Sequence, residues 1–327
     1  MTTAIDASTN PEVNGTGRER KLSTGSDLPY RVLLIVTAVL VGGLFLAFIG
    51  SIVQESIPGW RTVGWTFFTG TNWNYGAHIY GALPLIVGTV LTTGLALLLA
   101  VPVGFGTALA IVFLIPRRFQ LIISSIVELL AVVPSIIYGV WGYLTIQPWL
   151  DATVQPWLAS KTNGHFPFSG LGIGFGLMLG SLVLAVMILP TIAAISRDVV
   201  AAVPNEMIEG ALSLGATKSQ VLRKVVVPSS RSGLLGAVTL GTGRALGETI
   251  AMVVLLGGVN QTHPIPVSLF GTTGTLASEI ANNFGNLSGA AGLGVLCCLA
   301  LVLMVIIGLV NLSARVIVAR NLRKFQQ

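Results

Sequence analysis

The sequence predicts an all-α, polytopic membrane protein with six transmembrane helices, and three observations lead to this prediction. Charged residues make up only 9% of the 327 positions and hydrophobic residues 53%, whereas a typical soluble domain has about 25% charged residues. The mean hydropathy is +0.84, and several apolar runs reach the roughly 20 residues that a helix needs to cross a bilayer. The runs are continuous rather than alternating, which favours helices over a barrel.

Six apolar runs follow one another along the chain. The second is too long for one upright crossing and too short for two, so it predicts one tilted helix with a kink at Pro102 and Gly104. The third contains Glu128 and Pro134. The predicted spans are Val32–Val53, Gly81–Ile115, about Phe119–Ile146, Leu171–Ile195, Leu234–Val259 and Ala290–Val318.

Polar segments flank and interrupt the predicted membrane domain, which covers residues 30–320. Residues 1–29 lack hydrophobic periodicity and predict a disordered cytoplasmic tail. Residues 196–231 form a long cytoplasmic loop, and residues 321–327 a cytoplasmic C-terminal tail. The first apolar run is longer than a signal-peptide core, so we expect it to stay as an anchor helix.

The basic residues predict that both termini face the cytoplasm. This orientation leaves only Arg61 and Lys161 outside, with Arg244 inside a helix, as the positive-inside rule requires. The remaining basic residues then lie on the cytoplasmic side: Arg18, Arg20, Lys21, Arg31, Arg117, Arg118, Arg197, Lys218, Arg223, Lys224, Arg231, Arg315, Arg320, Arg323 and Lys324. Because these clusters flank apolar runs, the net charge of +6 reflects topology rather than nucleic-acid binding.

No catalytic, metal or cofactor site is expected in this chain. Cys297 and Cys298 are neighbours in an apolar run, and the histidines have no ligand spacing: His78, His165 and His263. The glycine-rich stretch from Gly170 to Gly180 follows no strand, which favours helix packing over nucleotide binding. A G-x-x-x-x-G-K-[ST] segment is absent, so ATP would have to bind another chain.

The cytoplasmic segment from Ser196 to Arg231 is much longer than a turn. Pro204 is placed to open a helix from about Asn205 to Lys218, with three apolar residues near one face: Ile208, Ala211 and Leu212. By shape alone such a helix fits a groove on a cytoplasmic partner or the lipid headgroup surface about equally well.

Two charges inside the fifth run point to function. Arg244 and Glu248 are four residues apart and are expected to pair on one helical face, while Gly243 and Gly247 would let another helix approach. Either the pair neutralises itself, or Arg244 lines an anion path on which Glu248 restrains it or prevents permanent trapping. Glu128 is expected to partner Arg244 or to stabilise a helix end.

The cytoplasmic segment resembles the E-A-A---G---------I-x-L-P loop of ABC-importer permeases. The matching residues are Glu209-Gly210-Ala211, then Gly215 after three residues, then Val225-Val226-Val227-Pro228 after nine. The sequence departs from this pattern at Gly210, Val225 and Val227. The resemblance implies that this loop, with Glu209, Gly210, Ala211 and Gly215, couples the permease to an ATPase subunit.

Three further segments resemble the PstC permease family of phosphate importers: Pro134–Gly139, Met187–Asp198 and Gly243–Thr249. This resemblance covers residues 30–320 and implies a type I ABC importer permease fold with Arg244 and Glu248 on the phosphate path. It also implies a PstA-like partner permease, two PstB-like ATPase subunits that hold ATP and Mg²⁺, and a PstS-like phosphate-binding protein. The loops Glu55–Ile79 and Asn260–Ser288 would receive that binding protein.

Three alternatives remain open at the level of sequence. An importer of another oxyanion, such as sulfate or molybdate, would share the same architecture. An ion channel or secondary transporter would leave the E-G-A loop unexplained and would transport without an ATPase. An intramembrane enzyme lacks a suitable constellation, since neither H-E-x-x-H nor paired intramembrane Asp is present.

Overall fold

The computed structural model describes residues 28–162, 167–168, 174–260, 262–285 and 289–323. Most of the predicted N-terminal tail therefore lies outside the described residues, as do His165, Gly170 and Gly172. The chain divides into two compact units at Ser51. The described part of the first unit is the beginning of one long helix, and the second unit contains all the other elements.

Helices make up most of the described chain, with one short hairpin and irregular segments between them. The helices are α1 (Leu28–Val63), α2 (Thr66–Thr69), α3 (Leu83–Phe113), α4 (Arg117–Val132), α5 (Ser135–Trp141), α6 (Gln147–Trp149), α7 (Gln155–Lys161), α8 (Leu177–Ala201), α9 (Asn205–Ser213), α10 (Lys218–Val221), α11 (Val227–Leu246), α12 (Ile250–Leu255), α13 (Leu276–Phe284) and α14 (Gly289–Arg323). π-Helical turns at Gly142–Ile146, Leu150–Val154 and Leu222–Val226 join neighbouring helices. The antiparallel strands β1 (Trp73–Asn74) and β2 (Ile79–Tyr80) pair Trp73 with Tyr80.

Within these residues, four helices are long and apolar enough to cross a membrane: Pro29–Val63, Leu83–Phe113, Leu177–Ala201 and Ala291–Ile317. The segments Arg117–Val132 and Ser135–Lys161 together make a fifth candidate, bent by 89°. The described chain thus has four or five candidate spans by length and composition, against the predicted six. The predicted fifth span, Leu234–Val259, is not among these continuous candidates because its helix is interrupted between α11 and α12 and its first half is rich in Gly and Thr and contains Arg244.

The third predicted span is wrong as a continuous helix because it breaks at Val133 and Pro134. Both residues leave the helical region, with ψ of 129° and 136°. Proline disfavours helical geometry in the residue before it and has no N–H to donate to the preceding turn. The carbonyl groups at the end of α4 are therefore left for side chains to satisfy.

The fifth predicted span breaks for a different reason, between α11 and α12. Helix α11 ends at Leu246, Gly247 caps it, and Thr249 has φ −114° and ψ −66°. The Thr249 hydroxyl donates a hydrogen bond to the Gly247 carbonyl at 3.0 Å. Three residues, Gly247–Thr249, thus leave the helix next to Arg244.

Helix α8 is the centre of the core, and glycines bring its neighbours close. A Cβ at Gly104 of α3 would lie 3.0 Å from Ile192 of α8, and one at Gly241 of α11 would lie 2.7 Å from the same side chain. Ile192 itself is fully buried. Helix α3 is continuous through Pro102, so Gly104 acts as a packing position.

Candidate functional site

The guanidinium of Arg244 lies where α4, α8 and α11 meet. Its Nη1 atom donates to the Ala131 carbonyl at 3.2 Å and to the Thr191 hydroxyl at 2.9 Å. Ala131 is in the last turn of α4, so Arg244 satisfies a carbonyl that the break at Pro134 exposed. A cation is also favoured at this end of a helix by the helix dipole.

The predicted pair of Arg244 with Glu248 is wrong. Helix α11 ends between the two residues, so they do not share the helical face that spacing of four would give. The ion pairs in the described part of the chain involve Arg197 and not Arg244. Both hydrogen-bond partners of Arg244 within the described chain, the Ala131 carbonyl and the Thr191 hydroxyl, are neutral.

Glu248 lies in the non-helical segment next to this site and is half-buried. Irregular backbone at membrane depth is tolerated where it is enclosed by protein or lines a water-filled cavity. Gly243 and Gly247 do not bring another helix close, contrary to the prediction. A Cβ at Gly243 would have no neighbour within 4 Å, and one at Gly247 would contact only carbonyl oxygens of its own helical turn. The close contact at this level belongs to Gly241 instead.

Arg197 forms the ion pair that sequence reasoning missed. Its guanidinium contacts Glu128 at 2.8 Å and Asp198 at 2.6 Å. Glu128 therefore pairs with Arg197 rather than with Arg244, and it ties α4 to α8. Arg197 lies in the Met187–Asp198 segment that marked the family resemblance, but nothing in the local pattern indicated a partner 69 residues away.

Two of the family-like segments contribute side chains around the end of α4, where the third places Arg244. The first supplies Tyr138, whose hydroxyl donates to the Leu130 carbonyl at 2.8 Å and satisfies a second acceptor at the end of α4. The second supplies Thr191, a direct partner of Arg244. Three motifs far apart in the chain thus build one polar site inside the helix bundle.

The E-G-A segment forms a short helix whose beginning was predicted correctly and whose end was not. Pro204 precedes α9, which starts at Asn205 but ends at Ser213 rather than Lys218. Gly215 has φ +84°, a conformation that favours glycine. The Gly215 N–H donates a hydrogen bond to the Leu212 carbonyl, and the Ala216 N–H donates one to the Ala211 carbonyl. These two bonds form a Schellman motif, which ends the helix. A capping box at Thr217 then starts α10.

One face of α9 is packed and the rest is exposed. Ile208 and Ala211 share a face, as predicted, but that face packs against this chain's own small core, formed by Val200, Val203, Val221, Val226 and Leu234. Leu212 does not join them, since 42% of its surface is exposed. Met207 and Leu214 are also exposed, at 47% and 90%. Glu209, Gly210 and Gly215 are exposed as well, so α9 presents an unpaired surface with apolar side chains.

The two glycines of this segment are expected to respond differently to alanine. Gly210 lies within α9, and a Cβ there meets nothing within 4 Å, so Gly210→Ala should stabilise the helix by about 0.5–1 kcal/mol. Gly215→Ala should destabilise the turn by about 1–3 kcal/mol because of its positive φ. Amide hydrogen exchange of α9 measures both changes. Slower exchange in Gly215→Ala would contradict the assigned turn.

The segments predicted to form the outer loops are tied together by a buried carboxylate. Glu279 of α13 accepts hydrogen bonds from the Trp73 indole at 2.6 Å and from the Asn283 amide at 2.7 Å. Burial raises the pKa of the Glu279 carboxyl above its ordinary value, against the effect of these two hydrogen bonds. Trp73 and Glu279 are 206 residues apart, so the hairpin and α13 form one packed surface.

Comparison with known proteins shows the family to which the sequence belongs. Residues 100–324 match the family model of the binding-protein-dependent transport system inner membrane component. The chain is 40% identical to the phosphate transport system permease protein PstC of Mesorhizobium japonicum, covering 89% of this chain and 88% of that protein. It is 41% identical to PstC of Haemophilus influenzae, covering 86% and 90%. Among solved structures, a chain of the MetNI methionine ABC transporter is 20% identical, with a TM-score of 0.49 over 79% of this chain and 96% of that chain.

The family confirms the predicted class: an all-helical, multi-pass inner-membrane permease of an ABC importer, rather than an ATPase. Such a component works with an ATPase and a binding protein. Among the described residues, no three His, Cys, Asp or Glu side chains lie together as a metal site would require. The chain belongs to the binding-protein-dependent transport system inner membrane components and, among them, to the PstC permease family.

Proposed function

We propose that this chain moves inorganic phosphate across the cytoplasmic membrane as the permease subunit of an ATP-driven importer. The observation that carries this proposal is Arg244, which is bonded only to a carbonyl and a hydroxyl in a chain about 40% identical to PstC proteins. A guanidinium donates two parallel hydrogen bonds to a phosphate. No carboxylate of the described chain pairs with Arg244. The guanidinium is therefore available to bind the substrate.

Glu248 has a complementary role in this proposal. It lies in the segment between α11 and α12, close in sequence to Arg244 but outside its helix. A carboxylate there repels an anion and so keeps phosphate from remaining bound to the arginine. Transport requires this balance, since a site on a permeation path must bind its ion and also release it.

Helix α9 is the coupling element of the proposal, through Glu209, Gly210, Ala211 and Gly215. Its exposed apolar side chains favour a groove on a protein partner, the kind of surface that binds a short amphipathic helix. ATP binding would move this helix and change the access of Arg244 from one side to the other. This requires that the ATPase bind the two conformations with different affinity.

The partners we propose are a PstA-like permease, two PstB-like ATPase subunits that hold ATP and Mg²⁺, and a PstS-like phosphate-binding protein. In this assembly both termini of the chain face the cytoplasm. The binding protein would dock on the opposite side, at the loops Glu55–Ile79 and Asn260–Ser288. The Trp73–Glu279 hydrogen bond supports this assignment because it joins parts of both loops into one surface.

Labelled phosphate uptake tests the proposal in cells that lack this gene and carry either the wild-type gene or an empty vector. We expect the gene to restore uptake that requires ATP and is unaffected by excess sulfate or molybdate. Full competition by sulfate or molybdate would contradict phosphate as the substrate and identify an importer of that oxyanion. Uptake that persists after ATP depletion would instead indicate a channel or a secondary transporter.

A further inference from the structure

A cavity of about 440 Å³, lined by both apolar and polar side chains, lies between α8, α4 and the end of α3. Its polar lining consists of Arg117, Gln120, Ser124, Ser125, Glu128 and Arg197. Arginine and serine side chains both donate hydrogen bonds to oxyanions. Two arginines and only one carboxylate line this cavity, so its lining has a net positive charge.

The geometry of Arg197 shows which part of its guanidinium faces the cavity. Nε and Nη2 donate to Asp198 at 3.0 and 2.6 Å, while Nη1 donates to Glu128 at 2.8 Å. Asp198 is not part of the cavity wall, whereas Glu128 is. Asp198 therefore fixes the orientation of the guanidinium, and an anion in the cavity would contact its Nη1 atom. An anion there has only the half-exposed carboxylate of Glu128 to displace.

The cavity continues the Arg244 site along the same two helices. Ala131, which accepts from Arg244, and Glu128 are three residues apart on α4, or about 4.5 Å along the axis. Thr191 and Arg197 are six residues apart on α8, or about 9 Å. Arg197 is nearer the end of α8 that leads into α9. Under the proposed orientation, this places Arg197 on the cytoplasmic side of Arg244.

We infer that this cavity is a second binding position for the transported oxyanion, between Arg244 and the cytoplasm. An anion released from Arg244 binds Nη1 of Arg197 and the side chain of Arg117, displacing Glu128. Return of Glu128 to Arg197 then releases the anion. Arg117 is exposed and forms no ion pair within the described part of the chain, so its charge is available. The inference rests on the proposed function and adds an exit step to it.

The test uses the complete importer, reconstituted with its partner subunits and binding protein in liposomes that contain ATP and defined concentrations of inorganic phosphate. Lumenal phosphate occupies the exit position and slows uptake. Glu128→Gln should lower the phosphate concentration for half-inhibition about tenfold, since the competing charge is removed. Arg197→Gln and Arg117→Gln should each raise it about tenfold, because each removes one charge-assisted hydrogen bond to the anion.

Arg118→Gln is the matched control, because Arg118 precedes Phe119 and stacks on its ring at 4.8 Å but does not line the cavity. It should leave the half-inhibition concentration unchanged. If the ion pair only holds α4 to α8, Glu128→Gln and Arg197→Gln would both slow uptake without shifting that concentration in opposite directions, and the inference would be wrong. This result is distinct from failure of the proposed function, in which the wild-type importer takes up no phosphate.

A phosphate group can also come from a lipid headgroup, so the experiment is repeated with and without anionic lipid. The inference requires that the opposite shifts of Glu128→Gln and Arg197→Gln persist in liposomes without anionic lipid. If the variants instead change only the response to anionic lipid, and lumenal phosphate has no effect, the cavity binds headgroups and the exit position is excluded.

Discussion

Replacing Arg244 with alanine is expected to reduce phosphate uptake at least about 100-fold while the complex still assembles. The change removes a guanidinium that is held by neutral partners and is free to bind the anion. Two charge-assisted hydrogen bonds of about 1.5–3 kcal/mol each account for a loss of this size. Arg244→Lys keeps the charge but lacks the planar fork, so we expect about a tenfold loss. Initial rates of uptake at saturating ATP measure both effects.

The control for Arg244 is Arg231→Ala, which removes an exposed arginine from the same helix. It should leave uptake near the wild-type rate. Thr191→Val separates substrate binding from positioning, because it removes one hydrogen bond to Arg244 but keeps the charge. We expect its loss to be smaller than that of Arg244→Ala. Normal transport by Arg244→Ala, at normal abundance in the membrane, would show that this arginine only caps α4.

Gly88→Ala is expected to destabilise the protein by about 1–3 kcal/mol, a large effect for one methyl group. A Cβ at Gly88 would overlap the Gly274 carbonyl oxygen and lie 2.6 Å from the Thr273 hydroxyl. Main-chain atoms cannot rotate away as a flexible side chain can, so α3 and the segment before α13 would have to separate. The thermal midpoint of the purified protein in detergent measures the change.

Gly94→Ala provides the matched control on the same helix. A Cβ at Gly94 meets nothing within 4 Å, so alanine should stabilise α3 by up to about 1 kcal/mol through its higher helix propensity. The two substitutions add the same methyl group and are expected to have effects of opposite sign. Equal effects of the two would mean that α3 does not approach Gly274 closely.

Features set by local sequence were predicted well. Composition alone establishes the membrane class, since continuous apolar runs cannot be covered by a soluble fold. Pro204 predicts the start of α9, because a proline there restricts the chain just before a helix. The positive φ of Gly215, by contrast, ended α9 five residues before the predicted Lys218. Spacing indicates which face of a helix is apolar, but not where a turn will stop it.

The membrane class, the importer family and the unusual charge at Arg244 can all be recognised in the amino-acid sequence. The partners of the charged groups follow from the folded structure instead: Arg244 with Ala131 and Thr191, Arg197 with Glu128, and Trp73 with Glu279. These pairs are separated by 113, 53, 69 and 206 residues. A spacing rule acts only within one helix, and the interruption at Gly247–Thr249 ended the helix on which the predicted Arg244–Glu248 pair depended. The packing of separate helices brings distant side chains together, and no local pattern in the chain encodes it.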